Sequence, residues 1–195
     1  MNKKTLKILL ISVVLVSIFA FSYAYIKGLF YIEEIIFSPQ GDVTTIVYNK
    51  DITKFPFSSE KAFTVSDIGA ISGSTTYSTA EFKDLYWAPD GKYRVISLKW
   101  DNEGNFLELN DFINNSSSNL TARLQTVLHT EKSISELLVY SKYPRPIVDF
   151  KFISWTDITG EMKIGFSFVG SDSKNYDGSF KYNYENNTNA EIVLN

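Results

Sequence analysis

The chain has 195 residues, no cysteine, a single histidine and a formal charge of −3 at pH 7. These features exclude disulfides, thiol catalysis and thiolate metal sites, and no zinc site of the multi-histidine kind is expected. The length predicts one domain. The excess of acidic side chains argues against nucleic acid as a partner, because binding phosphates requires clustered lysine and arginine.

The N-terminal segment has the composition of a membrane anchor. A basic end at residues 1–7 precedes a run from Ile8 to Ile26 that carries no charged side chain. At about 1.5 Å per residue, a helix of this run spans roughly 28 Å, close to the thickness of the hydrocarbon core of a bilayer. We predict a transmembrane helix at residues 8–27, with residues 1–7 in the cytoplasm.

A cleavable signal peptide is the alternative interpretation, since Ser22-Tyr23-Ala24 is a small-x-small pattern that a signal peptidase cuts. The apolar stretch continues past this point to Leu29 and Phe30, which favours the uncleaved anchor. Both interpretations place residues 28–195 outside the cytoplasm, in a single-pass protein of the cell membrane. The absence of cysteine suits the envelope of a Gram-positive bacterium.

Residues 28–195 predict a mainly β, α+β domain. A first hairpin consists of strands near Glu33–Phe37 and Val43–Tyr48, joined by the turn SPQGD. Weaker strand candidates at 61–65 and 74–83 flank the stretch DIGAISGSTT, whose Gly and Ser content predicts a loop. The next predicted strands are 85–87, 93–100 and 106–109.

A helical hairpin interrupts the strands. Apolar residues that recur at the spacing of one helix face predict a helix near 119–130, with Asn119 or its neighbour Ser118 as the N-cap. A capping-box pattern that starts at Ser133 predicts a second helix near 134–141. Prolines beyond this range cannot continue it. We expect the pair to lie across one face or end of the sheet.

Three consecutive antiparallel strands follow, each with apolar and polar side chains in alternation. The apolar positions are Val148, Phe150 and Phe152, then Met162, Ile164, Phe166 and Phe168, then Phe180, Tyr182 and Tyr184. A last strand is predicted at 190–194. The loops between these strands are short and rich in Gly, Asp, Asn and Ser, as in a meander.

The stretch YWAPDGK at residues 86–92 predicts a rigid corner between two strands. Pro89 presets a backbone angle of the turn, Asp90 accepts backbone amides, and Gly91 adopts the left-handed conformation that closes the loop. The corner aims Trp87 into a core.

Residues Trp87 to Lys92 also resemble the blade motif of TolB-type β-propellers. Phe37 to Asp42 is a degenerate second copy, and Ile153 to Gly160 is a third that lacks the proline. The resemblance implies a scaffold or interaction platform and brings no active-site motif. The copies are spaced by roughly 50 and 68 residues, not by a regular period of about 40 to 45, so we expect a meander or an open stack of blade-like hairpins.

Candidate catalytic residues are few. His129 lies opposite the apolar stripe of its predicted helix, so we expect it to face solvent. No serine stands in a G-x-S-x-G or S-x-x-K setting that would make it a nucleophile. The carboxylates of Asp84, Asp90, Asp101 and Glu103 cluster around turns, and turn chemistry explains them better than paired catalysis does.

The loop at residues 172–178 has part of a calcium-loop pattern. Ser173, Asn175, Asp177 and Gly178 are suitably spaced, but the loop opens with Ser and lacks a closing Glu. A polar connection between strands is the alternative. We expect no cofactor and no resident metal.

Tyrosines at loops and strand edges are the candidate partner-binding residues, because an exposed tyrosine offers both ring and hydroxyl to a peptide, glycan or protein. They are Tyr77, Tyr86, Tyr143 and Tyr176.

The sequence therefore predicts a membrane-anchored, extracytoplasmic module that binds a protein or envelope component without catalysis, with its oligomeric state open. One alternative is a carboxylate-based hydrolase of envelope glycans or peptides. It requires a pocket with two carboxylates about 5 to 10 Å apart, one with a raised pKa. The other is an immunity-type or accessory protein that masks a membrane partner.

Overall fold

The computed structural model describes residues 3–29, 32–51, 61–100, 104–138 and 148–195. The N-terminal segment is helical, as predicted, and its helix α1 spans Lys3–Leu29. Among the described residues, no helix is long and apolar enough to cross a membrane. The place of α1 in a membrane stays a prediction.

The described strands form three four-stranded antiparallel sheets, and each sheet is a meander in chain order. The first sheet consists of β1 Ile32–Phe37, β2 Val43–Tyr48, β3 Ala62–Gly69 and β4 Gly73–Ser78. The second consists of β5 Ala80–Trp87, β6 Tyr93–Trp100, β7 Gly104–Asp111 and β8 Ser116–Asn119. The third consists of β9 Val148–Trp155, β10 Glu161–Val169, β11 Asn175–Asn183 and β12 Thr188–Leu194. The predicted mainly β class is confirmed.

The predicted helices occur in the chain after the last strand of the second sheet and before the first strand of the third sheet. Helix α2 spans Leu120–Thr130, and the side chain of its N-cap Asn119 accepts the Ala122 amide at 3.0 Å. The predicted second helix is present, but α3 spans only Lys132–Ser135, so the predicted bounds of 134–141 are wrong within the described residues. Because α3 begins directly after α2, Ser133 lies inside it and forms no capping box. Residues 139–147 lie outside the described part of the chain.

The loop predicted at residues 67–76, DIGAISGSTT, is also wrong, because most of these residues belong to strands. Strand β3 continues to Gly69 and β4 starts at Gly73, so only residues 70–72 connect them. The two strands pair from Ala62 opposite Ser78 to Asp67 opposite Gly73. Pairing with a neighbour therefore overrides the weak strand propensity of Gly and Ser, as tertiary context often does.

The second sheet lies between the other two and buries both of its faces. Along β6, Ile96 and Leu98 belong to the core shared with the first sheet, whereas Tyr93 and Val95 belong to the core shared with the third sheet and the helices. Alternate strand residues point to opposite faces, so one strand serves both cores. Helix α2 adds a stripe of buried residues to the second core: Leu120, Leu124, Val127 and Leu128.

Candidate functional site

Tyr77 is buried, contrary to its predicted exposure. Its side chain is 8% exposed, its ring stacks on Phe63 with centroids 4.5 Å apart, and its hydroxyl donates to Glu108 at 2.7 Å. The reason is that β4 turns this position toward the second sheet. Tyr143, another predicted partner-binding residue, lies outside the described residues.

Tyr86 and Tyr176 are half-buried and bonded within the chain. Tyr86 stacks on Phe152 with centroids 4.4 Å apart and donates to Asp84 at 2.7 Å. Burial, followed by this hydrogen bond, raises the pKa of Tyr86 to about 12. Tyr176 donates to Asp172 at 3.0 Å. Their partner-binding role stays a prediction.

His129 is half-buried, so the expectation that it faces solvent is wrong. Helix α3 packs against α2 near this position. The turn interpretation of the carboxylates holds for Asp90, which accepts the Lys92 amide at 3.0 Å. Asp84 instead lies at a bulge in β5. Asp101 and Glu103 lie outside the described residues.

Most residues of the calcium-loop pattern lie in a strand and not in a loop. Asn175 and Asp177 belong to β11, and Asp177 accepts from the Asn195 side chain at 3.0 Å. The part of the chain that the structure describes has no group of three or more His, Cys, Asp or Glu placed to hold a metal. Of the four residues of the pattern, Ser173 lies in the connection between β10 and β11, and the other three lie in β11.

The three copies of the turn motif occupy equivalent positions, each between the first two strands of its sheet. In each, the amide of the residue after the first strand, Ser38, Ala88 or Thr156, donates to the carbonyl five positions later, at 2.9, 2.8 and 3.1 Å. A glycine with positive φ closes each of the three turns: Gly41 at 73°, Gly91 at 68° and Gly160 at 71°. The repeat in the sequence is thus a repeat of hairpin geometry.

The second and third turns enclose a cleft of about 250 Å³, lined by residues 88–90 and 155–160, which we name the turn cleft. Trp155 supplies an aromatic wall, held by a hydrogen bond of 3.3 Å from its Nε1 to the Tyr86 carbonyl. Ile158 stands at the rim and is 58% exposed. The cleft therefore combines a fixed aromatic ring with an accessible apolar side chain.

Asp90 supplies negative charge to the turn cleft. While its Oδ1 accepts the Lys92 amide, its Oδ2 is shielded from solvent and makes no hydrogen bond. The Lys92 ammonium lies 3.9 Å from Oδ2, beyond hydrogen-bond distance. Asp157 is exposed in the lining of the same cleft. A carboxylate oxygen in this setting favours a donor that brings its own positive charge.

Tyr93 supports the turn cleft from the core. Its ring stacks on Trp155 with centroids 6.5 Å apart, and its hydroxyl donates to Glu185 at 2.7 Å. Burial, followed by this hydrogen bond, raises the pKa of Tyr93 well above its ordinary value. The hydrogen bond to Glu185 fixes the Tyr93 hydroxyl, and the ring packs against Trp155.

A second cleft, of about 240 Å³ between the first and second sheets, contains a saturated arginine. Arg94 donates from Nη1 and Nη2 to Asp67 at 2.6 and 3.1 Å, from Nε and Nη2 to Asn110 at 3.1 and 3.0 Å, and from Nη1 to Thr45 at 3.1 Å. Its guanidinium also lies 5.1 Å from the centroid of the Trp87 ring. Because a guanidinium has five N–H donors, this one is fully used within the fold. Arg94 joins the first and second sheets through these hydrogen bonds and has no donor left for a ligand.

A third cleft, of about 230 Å³, holds two carboxylates and is named the acidic cleft. Burial raises the pKa of Glu33, and the charges of Glu81 and Glu34 raise it further. A hydrogen bond from Lys83, 2.7 Å long, lowers the pKa of Glu81. The pKa values of the two groups are therefore shifted in opposite directions.

The sequence interpretation missed Arg94 and the turn cleft. A signal for Arg94 was present, since it alternates with Ile96 and Leu98 on β6 and a charged residue at a core-facing position requires partners. The turn cleft had no comparable signal. Its walls are two turns separated by more than 60 residues, and only sheet stacking brings them together.

No family model matches the chain, and no curated protein matches it. Among solved structures, it is similar to the β-propeller domain of the Trilobed protease from Pyrococcus furiosus, described as having an open velcro topology. The identity is 11% and the TM-score 0.46. The match covers 85% of this chain and 42% of that chain, so this chain spans less than half of that domain's length.

Proposed function

We propose that this chain is a membrane-anchored, extracytoplasmic binding module that acts without catalysis, with the turn cleft as its ligand site. The observation that carries the proposal is that the Asp90 carboxylate, whose Oδ2 makes no hydrogen bond, lines the same cleft as Trp155. The ligand class is a cation with an apolar neighbour, such as a lysine or arginine side chain in a peptide or envelope component.

Binding of such a ligand follows from simple contacts. An ammonium group pairs with the Asp90 carboxylate, while the aromatic face of Trp155 attracts the same charge and Ile158 packs on the apolar neighbour. A charge-assisted hydrogen bond and an exposed cation–π contact together contribute at most about 4 kcal/mol, which limits an isolated amine to about 1 mM affinity. A peptide that also covers the rim binds more tightly.

The anchor part of the proposal rests on residues 8–27. The run from Ile8 to Ile26 is uncharged, and every described side chain from Ile11 to Tyr23 is exposed in the structure. A helix that is apolar on all sides requires a nonpolar environment. The bilayer is the environment that an N-terminal apolar helix would enter when three lysines precede its apolar run and one follows it.

Cysteine labelling tests the topology of the anchor, because the chain has no cysteine of its own. A membrane-impermeant maleimide should label Ser171→Cys, at an exposed position of the third sheet's loops, in intact cells. Thr5→Cys, in the basic end, is the control and should be labelled only after lysis. Labelling of Ser171→Cys only after lysis would contradict the export of the domain.

The ligand site is tested with the full chain in detergent and two peptides, acetyl-Leu-Lys-Leu-amide and the same peptide with glutamine. Calorimetry should detect binding of the lysine peptide, and Asp90→Asn should weaken it at least fivefold. Asp172→Asn is a matched control, because Asp172 also accepts the amide two residues later and pairs with a lysine, but lies outside the turn cleft. Equal binding of both peptides, or no loss in Asp90→Asn, would contradict the proposal.

A hydrolase is the second candidate, and the acidic cleft is the observation that favours it. Glu33 would act as the general acid and Glu81 as the ionised partner, consistent with the opposite shifts of their pKa values. The test is release of reducing ends or amines from purified cell-wall material by the full chain. Loss of turnover in Glu33→Gln but not in Glu34→Gln supports this candidate, whereas turnover that persists in the Glu33→Gln, Glu81→Gln double variant excludes it.

A further inference from the structure

We propose that a fourth cleft, between helix α2 and the third sheet, binds a hydroxylated ligand that carries a carboxylate or phosphate group. Its volume is about 460 Å³, within the range of roughly 300 to 1,000 Å³ that small-molecule sites occupy. We name it the arginine cleft, and its lining consists of Arg123, Thr126, Val127, Thr130, Asn187 and Asn189. None of these residues lines the turn cleft, so failure of this proposal leaves the lysine-peptide proposal unaffected.

The arginine cleft is positive in an acidic chain. The chain has 22 acidic residues against 19 basic ones, yet none of the lining residues is acidic and one is an arginine. Arg123 is exposed, and within the described residues no carboxylate forms an ion pair with it. The cleft therefore attracts an anion, whereas Asp90 and Asp157 give the turn cleft the opposite preference.

The Arg123 guanidinium is positioned by two tyrosines. Its Cζ lies 4.7 Å from the centroid of the Tyr184 ring, which packs edgewise against Tyr93 with centroids 5.9 Å apart. Burial raises the pKa of Tyr182, and the nearby Arg123 lowers it. Because a guanidinium has five N–H donors, these neighbours leave most of them for a ligand. Its fork of donors matches the paired oxygens of a carboxylate or phosphate.

Asn187 supplies a second donor to the arginine cleft. The Tyr182 hydroxyl donates to its Oδ1 at 2.7 Å, which fixes the orientation of the side-chain amide. The Nδ2 of Asn187 donates to no acceptor among the described residues, so its two hydrogens are available to a ligand. Tyr182 therefore links the neutral donor of Asn187 to the charged donors of Arg123.

The helix side of the cleft supplies acceptors. Thr126 and Thr130 follow Arg123 by three and seven positions, which places all three on one face of α2. The Thr126 hydroxyl donates to the Ala122 carbonyl at 3.0 Å, and the Thr130 hydroxyl donates to the Val127 carbonyl at 2.8 Å. With their protons used, both hydroxyl oxygens only accept, which favours a ligand with hydroxyl groups. An acidic sugar and a polyol phosphate each combine such hydroxyls with an oxyanion.

Nitrogen-15 spectra of the full chain in a neutral detergent test the site through the Nε–Hε signal of Arg123, which Arg123→Gln identifies by removing it. Titration with D-glucuronate or glycerol phosphate at constant ionic strength should shift this signal with a dissociation constant in the millimolar range. The Arg94 signal should stay unchanged, because its guanidinium is saturated within the fold. Glucose, which lacks the charge, and acetate, which lacks the hydroxyls, should bind several-fold more weakly.

The outcomes of this titration are decisive. A response to one acid and not to the other supports the site and identifies its oxyanion. Absence of a shift with both acids overturns the proposal, and so does equal affinity for acetate and glucuronate, which would indicate a nonspecific ion contact.

A matched pair of substitutions provides the second measurement. Asn187→Asp retains an oxygen for the Tyr182 hydroxyl and tolerates the φ of 53° at this position, but it replaces the Nδ2 donor with negative charge. It should weaken glucuronate binding about fivefold or more. Asn186→Asp adds the same charge outside the cleft and retains an oxygen for the Thr188 hydroxyl, which donates to Asn186 at 2.6 Å. This control should change the affinity by less than about twofold. Equal losses in the two variants overturn the proposal, because net charge alone would then explain them.

Discussion

The Arg94 guanidinium donates to both carboxylate oxygens of Asp67, at 2.6 and 3.1 Å, across the boundary between the first and second sheets. The side chains are only 5% and 10% exposed. Arg94 comes from the middle sheet and Asp67 from β3, so the pair fixes one sheet against the other. Since three copies of a similar hairpin stack in this protein, such a pair also distinguishes the correct neighbours.

Removal of either partner of this pair should destabilise the fold strongly. Arg94→Met leaves the Asp67 carboxylate nearly buried and without its cation, and the expected loss is about 3–5 kcal/mol of unfolding free energy. Urea denaturation of the full chain in detergent, followed by tryptophan fluorescence, measures it. The double variant Arg94→Met, Asp67→Leu should lose less than the sum of the two single variants. Lys83→Ala, which removes an exposed ion pair, should show no measurable loss.

Truncation of Leu124 should weaken the packing of helix α2 against the sheets. Its side chain is fully buried in the core shared by α2 and the second and third sheets. Leu124→Ala leaves a cavity and should lower the unfolding free energy by about 2–5 kcal/mol. Val193→Ala, at a side chain 52% exposed on β12, serves as the control and should change the unfolding midpoint little.

Gly91 should not tolerate a side chain. Its φ is 68°, and a Cβ there would meet the side chain of Gln40 from the equivalent turn of the first sheet. We expect Gly91→Ala to lower the melting temperature by an amount that corresponds to about 1–2 kcal/mol. Gly91→Asn should be milder, because asparagine visits this backbone region more readily. Gly73→Ala, where a Cβ meets nothing, should be close to neutral; equal effects at both glycines would contradict this view of the turn.

Alkaline pH should weaken the fold through Tyr86. Its pKa is raised from 10.0 to about 12 by burial and by the hydrogen bond to Asp84, so the unfolded chain loses the phenolic proton first. The stability that Tyr86 contributes is therefore complete below pH 10 and is lost as the pH rises from about 10 to 12. Urea denaturation at several pH values should show a fall above pH 10 that is smaller in Tyr86→Phe. An identical fall in both proteins would refute the assignment.

Local pattern was sufficient for most strands. The predicted strands Val43–Tyr48 and Tyr93–Trp100 have the bounds seen in the structure, because each is a run rich in β-branched and aromatic residues with polar turn residues on both sides. The turn at Gly91 and the N-cap Asn119 were predictable for the same reason. Both depend on bonds to residues only a few positions away.

Strand β4, which starts at Gly73, and the polar strand β8 were not predictable in this way. Their residues have weak strand propensity, and they become strands because a neighbouring strand offers its backbone groups. The short α3 is a further case, since its start follows from the end of α2 rather than from the Ser133 pattern.

What the amino-acid sequence determined by itself is therefore the mainly β class with most of its strands, the chemistry of the turns and the composition of an apolar N-terminal helix. The tertiary structure alone decided that Tyr77 is buried, that Arg94 donates to Asp67, and that Asp90 and Trp155 line one cleft. These relationships join residues tens of positions apart, and they exist only because hydrophobic burial stacks the three sheets in one order. Short-range patterns describe each sheet but contain no information about which face of one sheet will meet the next.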